Sequence, residues 1–140
     1  MAFLFDTDAI SELLRPHPAT AYVKWIMKVA REEQFTSAVV IGELYKGAYR
    51  ARDRERHLTN IEQRVLPAVT VLPYDIITAK VFGKIRANLE DTGVILPDAD
   101  IQIAATAIEH DLELITGNLR HFNRISDLKL NQVLANSRNH

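Results

Sequence analysis

The sequence predicts an α/β fold of three layers, α/β/α, in which a central parallel sheet of four or five strands is covered by helices on both faces. Short apolar runs alternate along the chain with longer segments of helical periodicity, which is the pattern of a parallel α/β protein. The first run, Phe3 to Phe5, is apolar throughout and ends at Asp6, as expected of a short strand that is buried on both faces. A length of 140 residues suits a single domain spanning residues 1–140.

The first half of the chain predicts two strands and three helices. The apolar residues 3–5 predict the first strand, and the prolines within residues 15–18 end the short helix that follows it. Residues 19–33 place their apolar side chains on one side of a helix. The predicted elements are, in order, a strand at 3–5, a helix at 9–14, a helix at 19–33, a strand at 34–40 and a helix at 41–51.

The second half repeats the alternation. Residues 75–93 carry apolar side chains at steps of four and end at a glycine, which suits the left-handed residue that closes a helix. The end of the chain is ambiguous and predicts a turn and a fifth strand at 128–130. The other predicted elements are, in order, a helix at 54–68, a strand at 69–74, a helix at 75–93, a helix at 96–111 and a strand at 112–116.

Composition excludes several kinds of site. The chain has no cysteine, which excludes disulfides, thiolate catalysis and cysteine zinc sites, and its five histidines lack the spacing of a zinc site. The net charge of −1 indicates no particular partner. No apolar run approaches the ~20 residues of a membrane span, and no basic leader precedes one, so we expect a cytoplasmic protein.

Asp6 directly follows the first predicted strand. In open parallel sheets, binding sites form beyond the carboxyl ends of the strands, so Asp6 is a candidate site residue. An aspartate between a strand and a helix is also an ordinary helix N-cap. Both interpretations stay open at this stage.

If the helix after the second strand begins near Val39, Glu43 lies on the apolar stripe that Val40, Leu44 and Ala48 form along it. Burying a carboxylate without a partner costs several kcal/mol, so a glutamate in this position indicates a cation, a donor network or a cleft. The alternative is a helix rotated so that Glu43 lies at the edge of the stripe and reaches water.

Two aspartates open the helix at 96–111. Asp100 shares a stripe with Ala104 and therefore borders the core, whereas Asp98 has an ordinary explanation as the N-cap. If the first strand is central, Asp6, Glu43 and Asp100 can converge at one edge of the sheet. Hard oxygen ligands of this kind suit Mg²⁺ or Mn²⁺.

Four segments in this order resemble the PIN domain family, and most closely its VapC-type toxin ribonucleases. They are FDTD at 5–8, VVIGELYKG at 39–47, DADIQIAATA at 98–107 and LITGNLRHF at 114–122. The resemblance runs from about residue 3 to residue 131. It implies an endoribonuclease that depends on Mg²⁺ or Mn²⁺, cuts structured RNA such as tRNA, inhibits translation, forms a homodimer and is neutralised by a cognate antitoxin.

The resemblance also assigns site residues. The family's three metal-binding acids match Asp6, Glu43 and Asp100, and a fourth position, an aspartate in many members, falls on Asn118. An asparagine brings no charge, but its amide can hold a metal-bound water. Thr116 matches a threonine that orients a carboxylate or a water. Asp8 and Asp98 are expected in supporting positions beside these ligands.

Basic side chains are needed beside such a cleft, because carboxylates repel the phosphodiester of RNA. Lys46 and Arg50 follow Glu43 at spacings that put them on or near its face of the helix, and Arg120 stands beside Asn118. We therefore expect these three to contact RNA. Arg56 and its neighbouring arginines alternate with acids, which is equally typical of a solvated helix.

Two other functions stay open. In an aspartyl-phosphate enzyme, Asp6 itself would be phosphorylated. Such an enzyme needs a hydroxyl after another strand, such as that of Thr36 or Ser37, and a lysine at a later strand end, where no lysine fits well. A catalytically idle PIN-like scaffold would bind RNA or protein without cleaving it, and the neutral Asn118 favours that alternative.

Overall fold

The computed structural model describes residues 1–139, and its centre is a sheet of five strands in the order β3-β2-β1-β4-β5. Every neighbouring pair is parallel, and helices cover the sheet on both faces. This confirms the predicted three-layer α/β fold, and the structure puts the first strand at the centre of the sheet. The strands are β1 (Phe3–Phe5), β2 (Gln34–Ser37), β3 (Thr70–Leu72), β4 (Glu113–Ile115) and β5 (Leu130–Asn131).

α6 packs against α5 and α3, and α3 also packs against α1 and α4. α2 packs against α8. Among the described residues, no helix has both the length and the apolar character needed to cross a membrane. The helices are α1 (Thr7–Leu14), α2 (Thr20–Ile26), α3 (Ala38–Arg50), α4 (Arg54–Asn60), α5 (Ile76–Asp91), α6 (Asp98–Glu109), α7 (Leu119–Phe122) and α8 (Val133–Arg138).

Polar side chains at the strand ends begin the helices that carry the site. The Asp6 carboxylate accepts the Ala9 N–H at 2.8 Å and caps α1. The Ser37 hydroxyl accepts the Val40 N–H at 3.1 Å and caps α3. Each cap satisfies a backbone donor that the first helical turn leaves free. Since Ser37 starts a helix, the strand predicted at 34–40 ends three residues early.

The helix predicted at 19–33 is also too long, because α2 ends at Ile26. Trp25 packs edge-on against Phe3, with 5.0 Å between the ring centroids, and the chain then turns away from the helix axis. Met27 is 78% exposed in this turn. The turn is required because Gln34 must pair with Phe3 in the sheet. Tyr22 is buried, and Trp25 and Ile26 pack against the core.

Two other expectations need correction. The helix predicted at 54–68 is α4 followed by a π-helical turn at Ile61–Val65 and a 3₁₀ turn at Leu66–Ala68, which contains a proline. Asp98 is not the N-cap of α6. Pro97 occupies that position, and Asp98 is the first helical residue.

α6 is buried on several sides rather than along one stripe. Ile103 and Ala107 are as completely covered as Ile101 and Ala104, because α6 contacts α5, α3 and β4. This packing holds the first turn of α6 against the centre of the sheet. Gly93, with a φ of 71°, ends the α5 segment as expected.

Candidate functional site

A cleft of about 380 Å³ opens at the carboxyl end of β1. Four separate parts of the chain meet there: the first turn of α1, the middle of α3, the first turn of α6 and the loop after β4. The structure thus brings Asp6, Glu43, Asp100 and Asn118 to one place, and their chemical roles stay predictions. The lining residues are Asp6, Thr7, Asp8, Ser11, Glu43, Asp100, Ile103, Asn118 and Phe122.

Asp6 is 5% exposed and is the most deeply buried acid of the cleft. Burial raises its pKa from 3.8 to about 7, against the opposing effects of the Thr116 side chain and the Ala9 N–H. The negative charges of Asp8 and Asp100 raise the pKa of Asp6 further. Asp6 therefore caps α1 with one oxygen and also contributes to the cleft, so the two interpretations of this residue are compatible.

Thr116 is fully buried at the end of β4. Its hydroxyl oxygen accepts the backbone N–H of Asn118 at 2.9 Å, which fixes the loop between the two residues. Its side chain also favours the ionised form of Asp6. Thr116 is thus placed to orient Asp6 and to hold Asn118 at the cleft.

Glu43 is partly exposed and lies at the edge of the α3 stripe, whose buried members are Val40, Leu44 and Ala48. The rotated helix considered above therefore describes it best. Its carboxylate accepts a hydrogen bond from the Thr7 hydroxyl on α1. Glu43 consequently faces the cleft with one oxygen already held.

Asp100, Asn118 and His121 are linked through one ring nitrogen. Nδ1 of His121 lies 3.3 Å from an Asp100 carboxylate oxygen and 3.0 Å from the Asn118 side-chain nitrogen. Burial raises the pKa of Asp100, the His121 side chain opposes that effect, and the charge of Glu43 adds to it. A protonated Nδ1 donates to Asp100, whereas a deprotonated one accepts from Asn118. His121 thereby couples the two sides of the cleft.

Asp8 forms an ion pair that the sequence did not reveal. Arg138 binds both of its carboxylate oxygens and also binds the buried Glu12. Arg138 lies 130 residues after Asp8 and 126 residues after Glu12 in the sequence. The helix that carries Arg138 has only six residues, and no helix is predicted there from the sequence.

Asp98 lies away from the cleft. It is paired with Arg86 of α5, and its side chain is 69% exposed. Asp98 is expected beside Asp6, Glu43 and Asp100, but it is not among the residues that line the cleft.

Lys46, Arg50 and Arg120, the expected RNA contacts, are exposed. None of the three is among the residues that line the described cleft. A groove of about 490 Å³ adjoins the cleft and shares Thr7, Ser11 and Glu43 with it. Its basic side chains are Arg15, Arg56 and His57. Arg56 belongs to the helix in which arginines alternate with acids.

The hydroxyls proposed for an aspartyl-phosphate enzyme are engaged in the fold. Thr36 is fully buried and donates to the Phe5 carbonyl at 2.7 Å. Ser37 caps α3. Neither residue lines the cleft, so the structure does not support this alternative.

The donors at the cleft are carboxylate and amide oxygens, which fit a hard divalent cation. Among residues 1–139, no three histidine or acidic side chains are gathered closely enough to hold an ion by themselves. Mg²⁺ commonly binds only one or two carboxylates of a protein and retains several waters. The oxygen donors of the cleft are therefore of the chemical type that Mg²⁺ binds.

Known proteins are similar to this one over most of the chain. A family model described as PIN domain matches residues 3–128. Toxin FitB of Neisseria gonorrhoeae is 34% identical over 124 residues, which cover 85% of this chain and 89% of that protein. The tRNA(fMet)-specific endonuclease VapC of Shigella flexneri is 31% identical, with coverage of 92% and 96%.

A solved structure is similar as well. DNA-bound VapBC from Salmonella typhimurium includes a chain that matches this one with a TM-score of 0.84 and 27% identity. The match covers 94% of this chain and 97% of that chain.

Proposed function

The chain belongs to the PIN domain family, and from that membership and its acidic cleft we propose that it is a metal-dependent endoribonuclease of the VapC toxin type. The observation that carries the proposal is the convergence of Asp6, Glu43 and Asp100 on one cleft at the carboxyl ends of parallel strands. We propose that residues 1–140 form one domain with this activity and that it acts in the cytoplasm.

Asp6, Glu43 and Asp100 would hold a Mg²⁺ or Mn²⁺ ion, partly through waters. When bound, such an ion supplies an activated water for attack on phosphorus and stabilises the departing oxygen. Asp6 and Asp100 each carry a pKa raised by burial. A nearby cation favours the ionised form of both groups, so the cleft is best suited to negative charge when a cation is present.

The other cleft residues would orient these acids. Thr7 fixes one oxygen of Glu43, and Thr116 fixes Asp6 and the loop to Asn118. The side-chain amide of Asn118 can bind a water at the cleft entrance. A precise arrangement is needed because displacement of a reacting group by about 1 Å can cost ~100-fold in rate.

RNA would approach through the groove beside the cleft. Arg15, Arg56 and His57 line it, and the two arginines, which pair with Glu12 and Asp53, place positive charge next to the acids of the cleft. Lys46, Arg50 and Arg120 remain proposed contacts for phosphates farther along the strand. Structured RNA, such as tRNA, is the proposed substrate, and the name of the Shigella relative supports that class.

A small antitoxin protein is the proposed partner, and translation inhibition is the proposed effect of the free enzyme. The relative named Toxin FitB and the similarity to a VapBC assembly support this part of the proposal. We also propose a homodimer as the assembly of the chain itself.

The test is cleavage of tRNA by purified protein with Mg²⁺, with Mn²⁺ and with a chelator. Asp6→Asn and Asp100→Asn should each lower the cleavage rate by at least ~100-fold, because each removes a charge from the cleft. Asp91→Asn is the matched control, since Asp91 is an exposed aspartate at the end of α5. Cleavage by Asp100→Asn at the wild-type rate would refute the proposal. Binding of tRNA without cleavage by the wild type would favour the idle scaffold.

A further inference from the structure

We propose that Arg138 is a positioning residue of the acidic cleft, which holds both oxygens of Asp8 and thereby keeps that carboxylate from binding the cation. This inference rests on the proposed function, because it concerns which acids of the cleft are free to hold the ion. It adds to that function a residue from the opposite end of the chain.

The contact between Arg138 and Asp8 is bidentate. Nη1 lies 2.7 Å from one carboxylate oxygen, and Nη2 lies 2.9 Å from the other. Paired bonds of this geometry are stronger and more directional than a single ion contact. Asp8 lines the same cleft as Asp6 and Asp100. It is therefore an acid at the cleft whose oxygens are both occupied by a cationic side chain.

Glu12 fixes the guanidinium group from behind. Nε and Nη2 of Arg138 lie 3.0 and 2.7 Å from one oxygen of Glu12, and the other oxygen accepts the Ala19 N–H at 2.9 Å. Glu12 is 3% exposed. Burial alone would raise the pKa of Glu12, but the hydrogen bonds from Arg138 and Ala19 outweigh it and lower the pKa. Arg138 is thus anchored on a buried, ionised group.

Gly117 shows that the neighbouring loop is shaped around this ion pair. A Cβ atom at position 117 would overlap Nη1 of Arg138 and a carboxylate oxygen of Asp8. Gly117 stands between Thr116 and Asn118, the two residues of this loop that are assigned to the site. The ion pair therefore contacts both the first turn of α1 and the loop after β4.

Loss of this clamp would change the donors offered to a cation. An unclamped Asp8 carries a free negative charge two residues from Asp6, on the same helical turn. Its attraction would strengthen cation binding while displacing the ion from the arrangement that Asp6 and Asp100 define. Tighter ion binding combined with slower cleavage is the expected signature.

The experiment is a calorimetric titration of the full chain with Mg²⁺, which needs no RNA. Arg138→Gln should bind Mg²⁺ about threefold or more tightly than the wild type. Asp8→Asn in the Arg138→Gln background should return the affinity to the wild-type value, because the released carboxylate is then absent. A general structural role of Arg138 would not be reversed by removing its partner.

Gly117→Ala is the second variant, because it keeps both charges while its Cβ displaces the Arg138 guanidinium and the Asp8 carboxylate that meet beside position 117. It should also bind Mg²⁺ more tightly than the wild type. If Arg138→Gln does not fold, as judged by circular dichroism, the comparison of Gly117→Ala with Gly117→Ala/Asp8→Asn decides the question in the same way.

Unchanged Mg²⁺ affinity in the folded variants, or a double variant that keeps the altered affinity, overturns the inference. A wild type that binds no Mg²⁺ overturns it too. Failure of the proposed function is a separate result, because it is measured as the absence of RNA cleavage by a protein whose Mg²⁺ affinity is known.

Discussion

The hydroxyl of Thr7 donates a hydrogen bond to the carboxylate of Glu43, and this contact joins the first turn of α1 to the middle of α3. The two helices follow adjacent strands of the sheet, β1 and β2. The bond therefore fixes the orientation of one cleft acid relative to the helix that Asp6 caps. Its removal should affect cleavage more than stability, since Glu43 is partly exposed.

Replacement of Thr7 by valine tests that relationship. Valine keeps the shape of threonine but removes the donor, so Glu43 is free to rotate, and we expect single-turnover cleavage to slow about tenfold. Thr7→Ser retains a hydroxyl and should stay within about twofold of the wild type. Equal rates for the valine and serine variants would show that the Thr7 hydroxyl has no part in holding Glu43 for cleavage.

The raised pKa of Asp6 predicts an unusual dependence of stability on pH in the metal-free protein. The folded state binds this proton with a pKa of about 7, above the ordinary 3.8. Stability that comes from protonated Asp6 is complete below about pH 4 and is lost as the pH rises through 7. The shift corresponds to about 4 kcal/mol.

Asp6→Asn should consequently be more stable than the wild type at pH 8 and similar to it at pH 4, because asparagine can still accept the Ala9 N–H without carrying a charge. Urea denaturation in chelator at the two pH values measures this difference. Addition of Mg²⁺ at pH 8 should stabilise the wild type and leave Asp6→Asn nearly unchanged. A lower stability of Asp6→Asn at pH 8 would contradict the prediction.

Gly47 offers a way to block the groove without touching the acids. It lines the groove beside Arg56, and space is open where its Cβ would lie. Gly47→Leu should fill that space and lower tRNA cleavage at least about tenfold, mainly through a higher KM. Gly83→Leu is the control, because Gly83 is an equally open helical position on α5. Equal cleavage by both variants would exclude the groove as the path of RNA.

Tyr22 ties α2 to the helix that begins at the site. Its ring is fully buried, and its hydroxyl donates to the Ala9 carbonyl at 3.0 Å. Tyr22→Phe removes this bond and should lower the free energy of unfolding by about 1 kcal/mol. Tyr49→Phe, at a side chain that is 54% exposed, should change it by less than about 0.5 kcal/mol. Urea denaturation of the two variants provides the comparison.

Local features of the fold were predictable because they depend on residues within about one helical turn of each other. The alternation of strands and helices, the cap at Asp6 and the helix-closing Gly93 follow from apolar spacing, short polar side chains and the backbone freedom of glycine. Asp6, Glu43 and Asp100 were predictable as candidate site residues, because each is a carboxylate where the pattern predicts apolar neighbours. The end of α2 was not predictable, because the pairing of Gln34 with Phe3 in the sheet overrides helical spacing.

Only the tertiary structure decided how distant residues meet. It paired Asp98 with Arg86 and Arg138 with Asp8 in salt bridges, and it brought Arg56 and His57 to the groove beside the cleft. Such contacts depend on the order of strands in the sheet and on the direction in which each helix crosses it. Neither the spacing of apolar residues nor the identity of a cap encodes that order, because it results from the packing of the whole core.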